Sequence, residues 1–269
     1  RIPFDSVDDN LSAERATEQR YGVDRLLPLF REKAIKNGIF LPWPFGLTLS
    51  GVAFTEQLEL DKLSIKLANG EKIDGSGFGE FVKPRDLDVT NYSVRFDAWI
   101  FPFLNLYALA GKTEVDLNVK LLGQDTSTFD ESRNSYGGGA VLAGGYGVLF
   151  AMADIRYTQT DLSLSTDGAT TLATLLRVGW NGKLGPANGA IWAGAIRQDI
   201  DLTLDVRASE FPQVPPIFAG AEIDVEMSSS KGFTPLVGTR WDISTHWDFS
   251  VEYSFGDRDY LSGTLGYRF

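Results

Sequence analysis

The sequence predicts an all-β chain that folds into an antiparallel up-and-down β-barrel, preceded by an N-terminal helical segment. Apolar and polar residues alternate with a period of two over about ten stretches of the chain. Short turns and longer polar connections follow one another between these stretches, which is typical of a meander. The chain also holds 28 glycines and 18 phenylalanines but only 2 methionines, a composition unlike that of a helical enzyme.

Composition excludes several classes of function. The chain has 269 residues and no cysteine, which excludes a disulfide framework, thiolate chemistry and cysteine-ligated metal sites. Its formal net charge of -11 argues against a nucleic-acid partner, which would favour a basic surface. No run of about 18 apolar residues is present, so no transmembrane helix is predicted. The sequence starts at Arg1, which we interpret as a mature protein whose signal peptide has been removed.

Residues 1–43 are predicted to form a separate helical segment. Asp24 is a candidate N-cap, and Asn37-Gly38 is a candidate C-terminal stop. The apolar face of this helix would comprise Leu26, Leu27, Phe30 and Ala34. Because this face needs cover, we expect the segment to act as a periplasmic cap or plug in the barrel mouth. The alternative is a loose amphipathic segment on the membrane or on a partner.

Residues 44–269 are assigned to the barrel. The alternating stretches are 46–67, 90–100, 105–122, 136–147, 148–164, 170–182, 189–207, 221–243, 246–256 and 258–269. The polar stretches between them, such as 123–136, are expected to be loops. The apolar phase slips near Asp61, which indicates a bulge or an extra turn. Ten strands fit best; eight or twelve also fit, because the first and eighth stretches are long and irregular.

Each stretch has one apolar and one polar face. In 247–255 the apolar face carries Trp247, Phe249, Val251, Tyr253 and Phe255. In 190–206 we assign Trp192, Gly194, Ile196, Ile200, Leu202 and Leu204 to the apolar face. The opposite face of that stretch then carries Ala193, Ala195, Arg197, Asp199 and Asp201.

Two architectures fit this pattern. In a soluble sandwich or barrel the apolar face points inward, whereas in a membrane barrel it points outward to lipid. Bulky aromatic residues near strand ends favour the membrane barrel, because they match the aromatic girdles at the two membrane interfaces. The predicted girdle comprises Trp180, Trp192, Trp241, Trp247, Phe255, Tyr267 and Phe269.

The last strand, "DYLSGTLGYRF", places Leu265, Tyr267 and Phe269 on one face. This aromatic-x-Phe ending resembles the C-terminal signature of Gram-negative outer-membrane β-barrel proteins. The resemblance covers residues 46–269 as a pattern, and the last strand is its one sharp motif. It implies localisation in the bacterial outer membrane, contact with outer-membrane lipid, and recognition of the final aromatic residue by the barrel-assembly machinery.

Basic and acidic residues two positions apart recur on the polar faces. The predicted lumen charge network comprises Arg95, Asp97, Lys112, Glu114, Asp154, Arg156, Arg177, Arg197, Asp199, Arg240, Asp242, Asp248, Glu252 and Arg268. One interpretation is a charged constriction that selects what passes. The alternative is a polar plug in which buried charges pair with one another. The balance of signs argues against strong ion selectivity.

A second cluster is acidic. It comprises Asp201, Asp205, Glu222, Asp224 and Glu226, which alternate on two consecutive stretches at the outer rim. If these stretches pair, the carboxylates converge with little base nearby. Clustered oxygen ligands suit divalent cations, so a Ca²⁺ site or a cation-bridged contact with lipopolysaccharide is one interpretation. A solvated acidic rim is the other. No other cofactor is expected.

Catalytic signals are weak. His246 is the only histidine, and it lies in the short turn "STHW", where we expect a structural role. The glycine-rich stretch 137–147 does not lead from a strand into a helix, so we interpret it as strand backbone that leaves space in the lumen. No catalytic residue is therefore assigned.

These observations predict a monomeric outer-membrane β-barrel that acts as a narrow or plugged channel for small molecules. The first alternative is a non-conducting structural or interaction barrel whose acidic loops bind lipopolysaccharide or host surfaces. A more distant alternative is an outer-membrane hydrolase. The sequence names no substrate.

Overall fold

A computed structural model of the chain describes most of the predicted barrel. The described residues are 26–31, 41, 43–57, 59–67, 70–74, 82–121, 124–162, 168–184, 187–207, 221–230, 232–256 and 258–269. Within these ranges, no helix has both the length and the apolar character needed to cross a membrane.

The described residues form thirteen strands in antiparallel pairs. These are β1 (Phe45–Gln57), β2 (Glu59–Lys66), β3 (Lys72–Asp74), β4 (Val82–Phe101), β5 (Leu104–Leu121), β6 (Gln124–Tyr146), β7 (Leu149–Thr160), β8 (Ala169–Leu184), β9 (Ala187–Arg207), β10 (Glu222–Ser230), β11 (Thr234–Asp242), β12 (Trp247–Ser254) and β13 (Asp259–Arg268). The stretch 123–136, predicted as a loop, is strand from Gln124 onward, because the pairing of β5 with β6 continues through polar side chains.

Ten of these strands close into a barrel, which confirms the predicted fold and strand number. The ring runs β1-β4-β5-β6-β7-β8-β9-β11-β12-β13 and returns to β1. Pairing of β9 with β11 and of β13 with β1 completes it. Short turns at 102–103, 147–148 and 243–246 lie at one end, which we call the short-turn end. The opposite end is the long-loop end.

Strands β2, β3 and β10 extend the wall at the long-loop end. β10 pairs with the last third of β9, and β11 continues below it against the first half of β9. β2 pairs with β10 on one side and with β3 on the other. The β2–β10 register shifts between Leu60 and Lys62, opposite Glu226 and Met227. This confirms the irregularity predicted near Asp61.

Large apolar side chains point away from the lumen along most strands. In β12, Trp247, Phe249 and Tyr253 are exposed, whereas Glu252 and Ser254 are buried inside the barrel. The exposed belt also includes Leu47, Leu49, Val94, Phe96, Leu106, Leu142, Ile155, Leu176, Val178, Ile191 and Leu261. A soluble barrel would turn these side chains inward, so the exposed belt has the arrangement that the hydrocarbon core of a membrane covers.

β9 departs from the predicted orientation. Ile196, Ile200 and Leu202 are buried inside the barrel, while Ala193 and Arg197 face outward. The assignment of this strand's apolar residues to the outer face is therefore wrong. The physical reason is that the lumen is apolar at this height, so the larger apolar side chains of β9 are those that fill it.

Apolar side chains close the lumen toward the long-loop end. Ala173, Leu175, Ile196, Leu236 and Tyr260 form a buried cluster, which we call the lumen seal. A second cluster of Leu87, Val89, Leu202 and Met227 lies beyond it, nearer the long-loop end. Toward the long-loop end the lumen therefore holds these apolar clusters beside buried polar side chains, such as Thr113 and Ser135, to which Asn91 donates.

Glycines in the wall make room for large lumen side chains. A Cβ atom on Gly238 would lie 2.5 Å from the indole of Trp192. A Cβ atom on Gly139 would lie 2.5 Å from the Tyr107 hydroxyl oxygen. Real Cβ atoms do not approach that closely, so each site requires glycine. The expectation that the stretch 137–147 leaves lumen space agrees with this contact.

The N-terminal segment is described only in part. Leu26 and Leu27 are irregular and residues 28–30 form a bend and turn, so the predicted helix is not found over 26–30; Arg31 alone is assigned as helical. The Leu29 N–H donates to the Ile100 carbonyl oxygen at 2.8 Å, and the Phe30 ring stacks on Phe101 at 5.9 Å. Pro28 has no N–H to contribute to a helix. Ala34 and most of residues 1–43 lie outside the described residues.

We expect Gly238→Ala to lower the free energy of unfolding by about 1–3 kcal/mol, because the new methyl group collides with the Trp192 ring. The measurement is urea unfolding of the protein folded into phospholipid vesicles.

Gly144→Ala is the matched control. Gly144 faces outward, and its Cβ would meet nothing within 4 Å. Equal free energies of unfolding for the two variants would contradict the packing argument.

Candidate functional site in the lumen

A polar cavity occupies the lumen between the short-turn end and the lumen seal. Its volume is about 210 Å³. Its wall is formed by Thr48, Arg95, Asp97, Trp99, Asn105, Val141, Phe150, Met152, Asp154, Arg177, Asn181, Ala190, Trp192, Arg240, Asp248, Ser250, Glu252, Thr264, Gly266 and Arg268. These residues come from all around the barrel, so closure of the ring is what assembles the cavity.

Asp97 is the centre of the hydrogen-bond network near the short-turn end. Its buried carboxylate accepts from Asn105 Nδ2 at 2.7 Å and from Arg268 at 3.2 Å. Arg95 Nε lies 3.7 Å from the same carboxylate. The Arg95 guanidinium also donates to Asn105 Oδ1 at 3.0 Å and lies 3.8 Å above the centre of the Tyr107 ring. These contacts hold Arg95 flat against the wall, where cation–π attraction adds to the hydrogen bonds.

Glu252 is the centre of a second network, next to the lumen seal. Arg177 donates to its two oxygens from Nε at 2.5 Å and from a terminal nitrogen at 2.7 Å, and Trp192 Nε1 donates at 2.7 Å. Nearby, the Tyr107 hydroxyl donates to Asp154 Oδ1 at 2.7 Å. A bidentate arginine–carboxylate pair with a third donor satisfies a charge that would otherwise be costly to bury.

Most of the predicted lumen charges lie on the inner face. They are Arg95, Asp97, Asp154, Arg156, Arg177, Arg240, Asp242, Asp248, Glu252 and Arg268. Arg95–Asp97 and Arg240–Asp242, each two positions apart in sequence, are in contact as predicted, the latter at 3.1 Å.

Four of the predicted lumen charges lie on the outer face instead. Lys112 and Glu114 of β5 are exposed, because the alternation of that strand turns Thr113 inward. Arg197 pairs with Asp199 at 3.1 Å on the outer side of β9. In the strand registers Lys112 lies opposite Tyr92 and Asp199 lies opposite Leu172, so these charges border outward apolar side chains. Their inclusion in the lumen network is corrected accordingly.

Aromatic residues lie outside the wall at both ends of the belt. Trp180, Trp241, Trp247, Tyr267 and Phe269 face outward near the short-turn end, and Phe255 faces outward near the other end. Trp247 packs against Tyr267 at 4.9 Å, and Trp241 stacks on Phe249 at 6.1 Å. Trp192 is the exception: it points into the lumen, since its indole N–H binds Glu252.

Sequence analysis placed Tyr253 on an outward apolar face but did not identify the row of tyrosines to which it belongs. Tyr92, Tyr136, Tyr157 and Tyr253 are exposed near the long-loop end of the belt. The sequence does carry a signal for them: each lies where the apolar residues on one face of a strand are followed by charged residues on the same face.

The acidic rim holds lysines that the sequence pattern did not reveal. Lys62 binds Glu226 at 3.0 Å, and Lys66 binds Glu222 at 2.8 Å. The expectation of little nearby base is therefore wrong, because β2 pairs with β10 across a long stretch of sequence. The hydrogen bond from Lys66 to Glu222, together with the carboxylate charge, raises the pKa of the Lys66 ammonium.

A cation site at this rim has no geometric support in the described part of the chain. No group of three or more histidine, aspartate or glutamate side chains there is arranged to hold a metal ion. In the registers of β10, Asp224 lies opposite Asp205 of β9 and opposite Ser64 of β2, while Asp201 lies opposite Ser228. The side chain of Asp205 lies outside the described residues.

His246 lies at the short-turn end. Its Nδ1 is 2.6 Å from the Arg268 carbonyl oxygen, and its ring lies 5.0 Å from that of Trp43 and 5.8 Å from that of Tyr267. It joins the 243–246 turn to β13 and to the residue that precedes β1. These contacts are structural, and the prediction that the protein is not an enzyme stays a prediction.

Comparison with known proteins gives only distant likenesses. No protein-family model matches the chain, and no curated protein matches it. The transport unit of the autotransporter AIDA-I from Escherichia coli is 11% identical, with 97% of this chain and 98% of that one covered and a TM-score of 0.40. The outer membrane protein OprG from Pseudomonas aeruginosa is 12% identical, with 85% and 98% covered and a TM-score of 0.40.

An outer membrane channel from Pseudomonas putida F1 is 10% identical, with 92% of this chain and 100% of that one covered and a TM-score of 0.34. These proteins belong to the outer-membrane class that the last strand of this chain resembles. Because these TM-scores are below 0.5, the likenesses support no argument about the function of this chain.

We expect Glu252→Leu to lower the free energy of unfolding by about 3–5 kcal/mol, because it leaves the Arg177 charge buried without its partner. The double variant Arg177→Met/Glu252→Leu should recover most of that loss, since both charges are then removed. Urea unfolding in phospholipid vesicles measures both effects.

Glu226→Leu is the control for an exposed ion pair. Lys62 and Glu226 are both about half exposed, so this change should cost at most about 1 kcal/mol. A double variant as unstable as Glu252→Leu alone would contradict the unpaired-charge explanation.

Proposed function

We propose that this protein is an outer-membrane β-barrel of a Gram-negative bacterium and acts as a narrow, occluded channel for small molecules. The exposed apolar belt with aromatic residues at both ends supports the membrane location. The observation that carries the channel proposal is the cavity of about 210 Å³ in the lumen, directly below the lumen seal.

A cavity of this size is unusual for a barrel that serves only as an anchor. Protein interiors are close-packed, and voids much larger than a water molecule are few. This barrel instead lines the space with small residues, among them Ala190, Ser250, Thr264 and Gly266. Larger side chains at these positions would fill the lumen, so the residue types support a retained space for solute.

The lumen seal sets the expected transport behaviour. Leu175 and Ile196 are 1% and 0% exposed, and they form one cluster with Leu236 of the adjacent β11 and with Tyr260 of β13. An apolar constriction resists ions because an ion there loses its hydration. We therefore expect little ion current through the wild-type protein, and passage of small solutes only when side chains of the seal move aside.

The alternative is a non-conducting barrel that interacts with lipopolysaccharide or a host surface. One observation favours it: β2, β3 and β10 extend the wall beyond the belt and expose charged side chains such as Glu222 and Glu226. In that case the seal would be permanent, and the lumen cavity would hold only water.

We expect Leu175→Ala/Ile196→Ala to raise both solute uptake and ion current several-fold over wild type, because it removes bulk from two neighbouring side chains of the lumen seal. The measurements are uptake of a small neutral sugar into proteoliposomes and single-channel current in planar bilayers.

Leu176→Ala/Ile191→Ala is the matched control. These residues come from the same two strands, but they are 43% and 48% exposed on the outer face, so their loss should leave flux unchanged. No uptake by the wild-type protein or by the seal variant would contradict the channel and favour the non-conducting barrel.

A further inference from the structure

Two buried donors on residues that line the lumen cavity have neither a hydrogen-bond partner nor an ion-pair partner. They are Nε1 of Trp99 on β4 and Nδ2 of Asn181 on β8, in side chains that are 3% and 4% exposed. Both residues line the cavity. Leaving such groups unpaired is costly, so an acceptor inside the cavity that reached them would stabilise the protein.

The charges around the cavity balance. Its lining holds four arginines and four carboxylates: Arg95, Arg177, Arg240, Arg268, Asp97, Asp154, Asp248 and Glu252. Asp97 and Glu252 already accept hydrogen bonds from arginine and from a second donor. A charged ligand would therefore bring an uncompensated charge into a largely buried space, where charges interact strongly and desolvation is costly.

The cavity also has apolar and aromatic walls. Phe150 and Trp192 meet edge to face at 6.4 Å, and Val141, Met152 and Ala190 complete the apolar surface. A flat apolar group can pack against such a surface while its oxygen atom reaches the donors. The volume of about 210 Å³ equals roughly seven waters at liquid density, which is enough for a compact molecule.

We infer that the lumen cavity is a binding site for a small uncharged molecule with a compact apolar body and a carbonyl or hydroxyl oxygen. The oxygen accepts hydrogen bonds from Trp99 and Asn181, and the apolar body packs against Phe150 and Trp192. This inference rests on the proposed function, since it names the class of solute that the channel holds.

The test uses three probes of nearly the same shape: benzamide, which is neutral, benzoate, which is an anion, and benzamidinium, which is a cation. Binding to the detergent-solubilised full chain is measured by saturation-transfer NMR, with empty micelles as the blank. We expect saturable binding of benzamide and at least about tenfold weaker binding of both ions.

Two variants test the donors. Trp99→Phe keeps an aromatic ring but removes the N–H, and Asn181→Leu keeps the size but removes the amide. Each should weaken benzamide binding by about 3- to 10-fold, which is the effect of one hydrogen bond. Trp180→Phe is the matched control on the outer face, and it should leave binding unchanged. If one lumen variant fails to fold, the other decides the test.

The inference is overturned if benzamide shows no saturable binding, if the three probes bind equally, or if a folded lumen variant binds benzamide like wild type. In these cases the cavity holds water alone. Binding in micelles needs no passage through the barrel, so benzamide binding without solute uptake would contradict only the channel. If the protein takes up solute but its binding of benzamide does not depend on Trp99 or Asn181, only this inference is contradicted.

Discussion

The pairing of β13 with β1 is the interaction on which the rest of the structure depends. It runs from Gly46 opposite Arg268 to Thr55 opposite Asp259 and joins the two ends of the ring. Closure leaves no barrel strand with an open edge, which is the condition for a β-structure to exist in hydrocarbon. It also brings Arg268 of β13 within reach of Asp97 of β4, across β1, so this ion pair exists only in the closed ring.

Closure of a ten-stranded ring leaves little space inside, and the lumen is organised by how that space is shared. Gly139 and Gly238 have no side chains, which leaves room in the lumen for Tyr107 and Trp192. Charged groups near the short-turn end pair with one another, because unpaired charges are costly in such confinement. The apolar lumen seal lies above them. The cavity lies where the inward side chains are too small to fill the lumen. A cavity next to an apolar seal supports an occluded path for solutes better than any other function.

Sequence reasoning succeeded where one face of a strand was uniform. In 247–255 the aromatic residues face outward as predicted, since the polar residues between them are small or charged. It failed in β9, where Ile196 and Arg197 are neighbours and both faces mix residue types. An apolar residue suits either lipid or the lumen seal, so alternation alone could not orient this strand. Nor could it place Lys62 beside Glu226, because that contact depends on a pairing between segments distant in sequence.

By itself, the sequence predicted the barrel, its outward apolar belt and the polar inner lumen, and it favoured ten strands over eight or twelve, because a period of two is a local property that each strand carries independently. Only the tertiary structure decided which charges enter the lumen, that Trp192 binds Glu252, and that Trp99 and Asn181 line one cavity below an apolar seal. The reason is physical: these side chains come from strands that are not neighbours in the sheet, so their meeting depends on the register and closure of the whole ring.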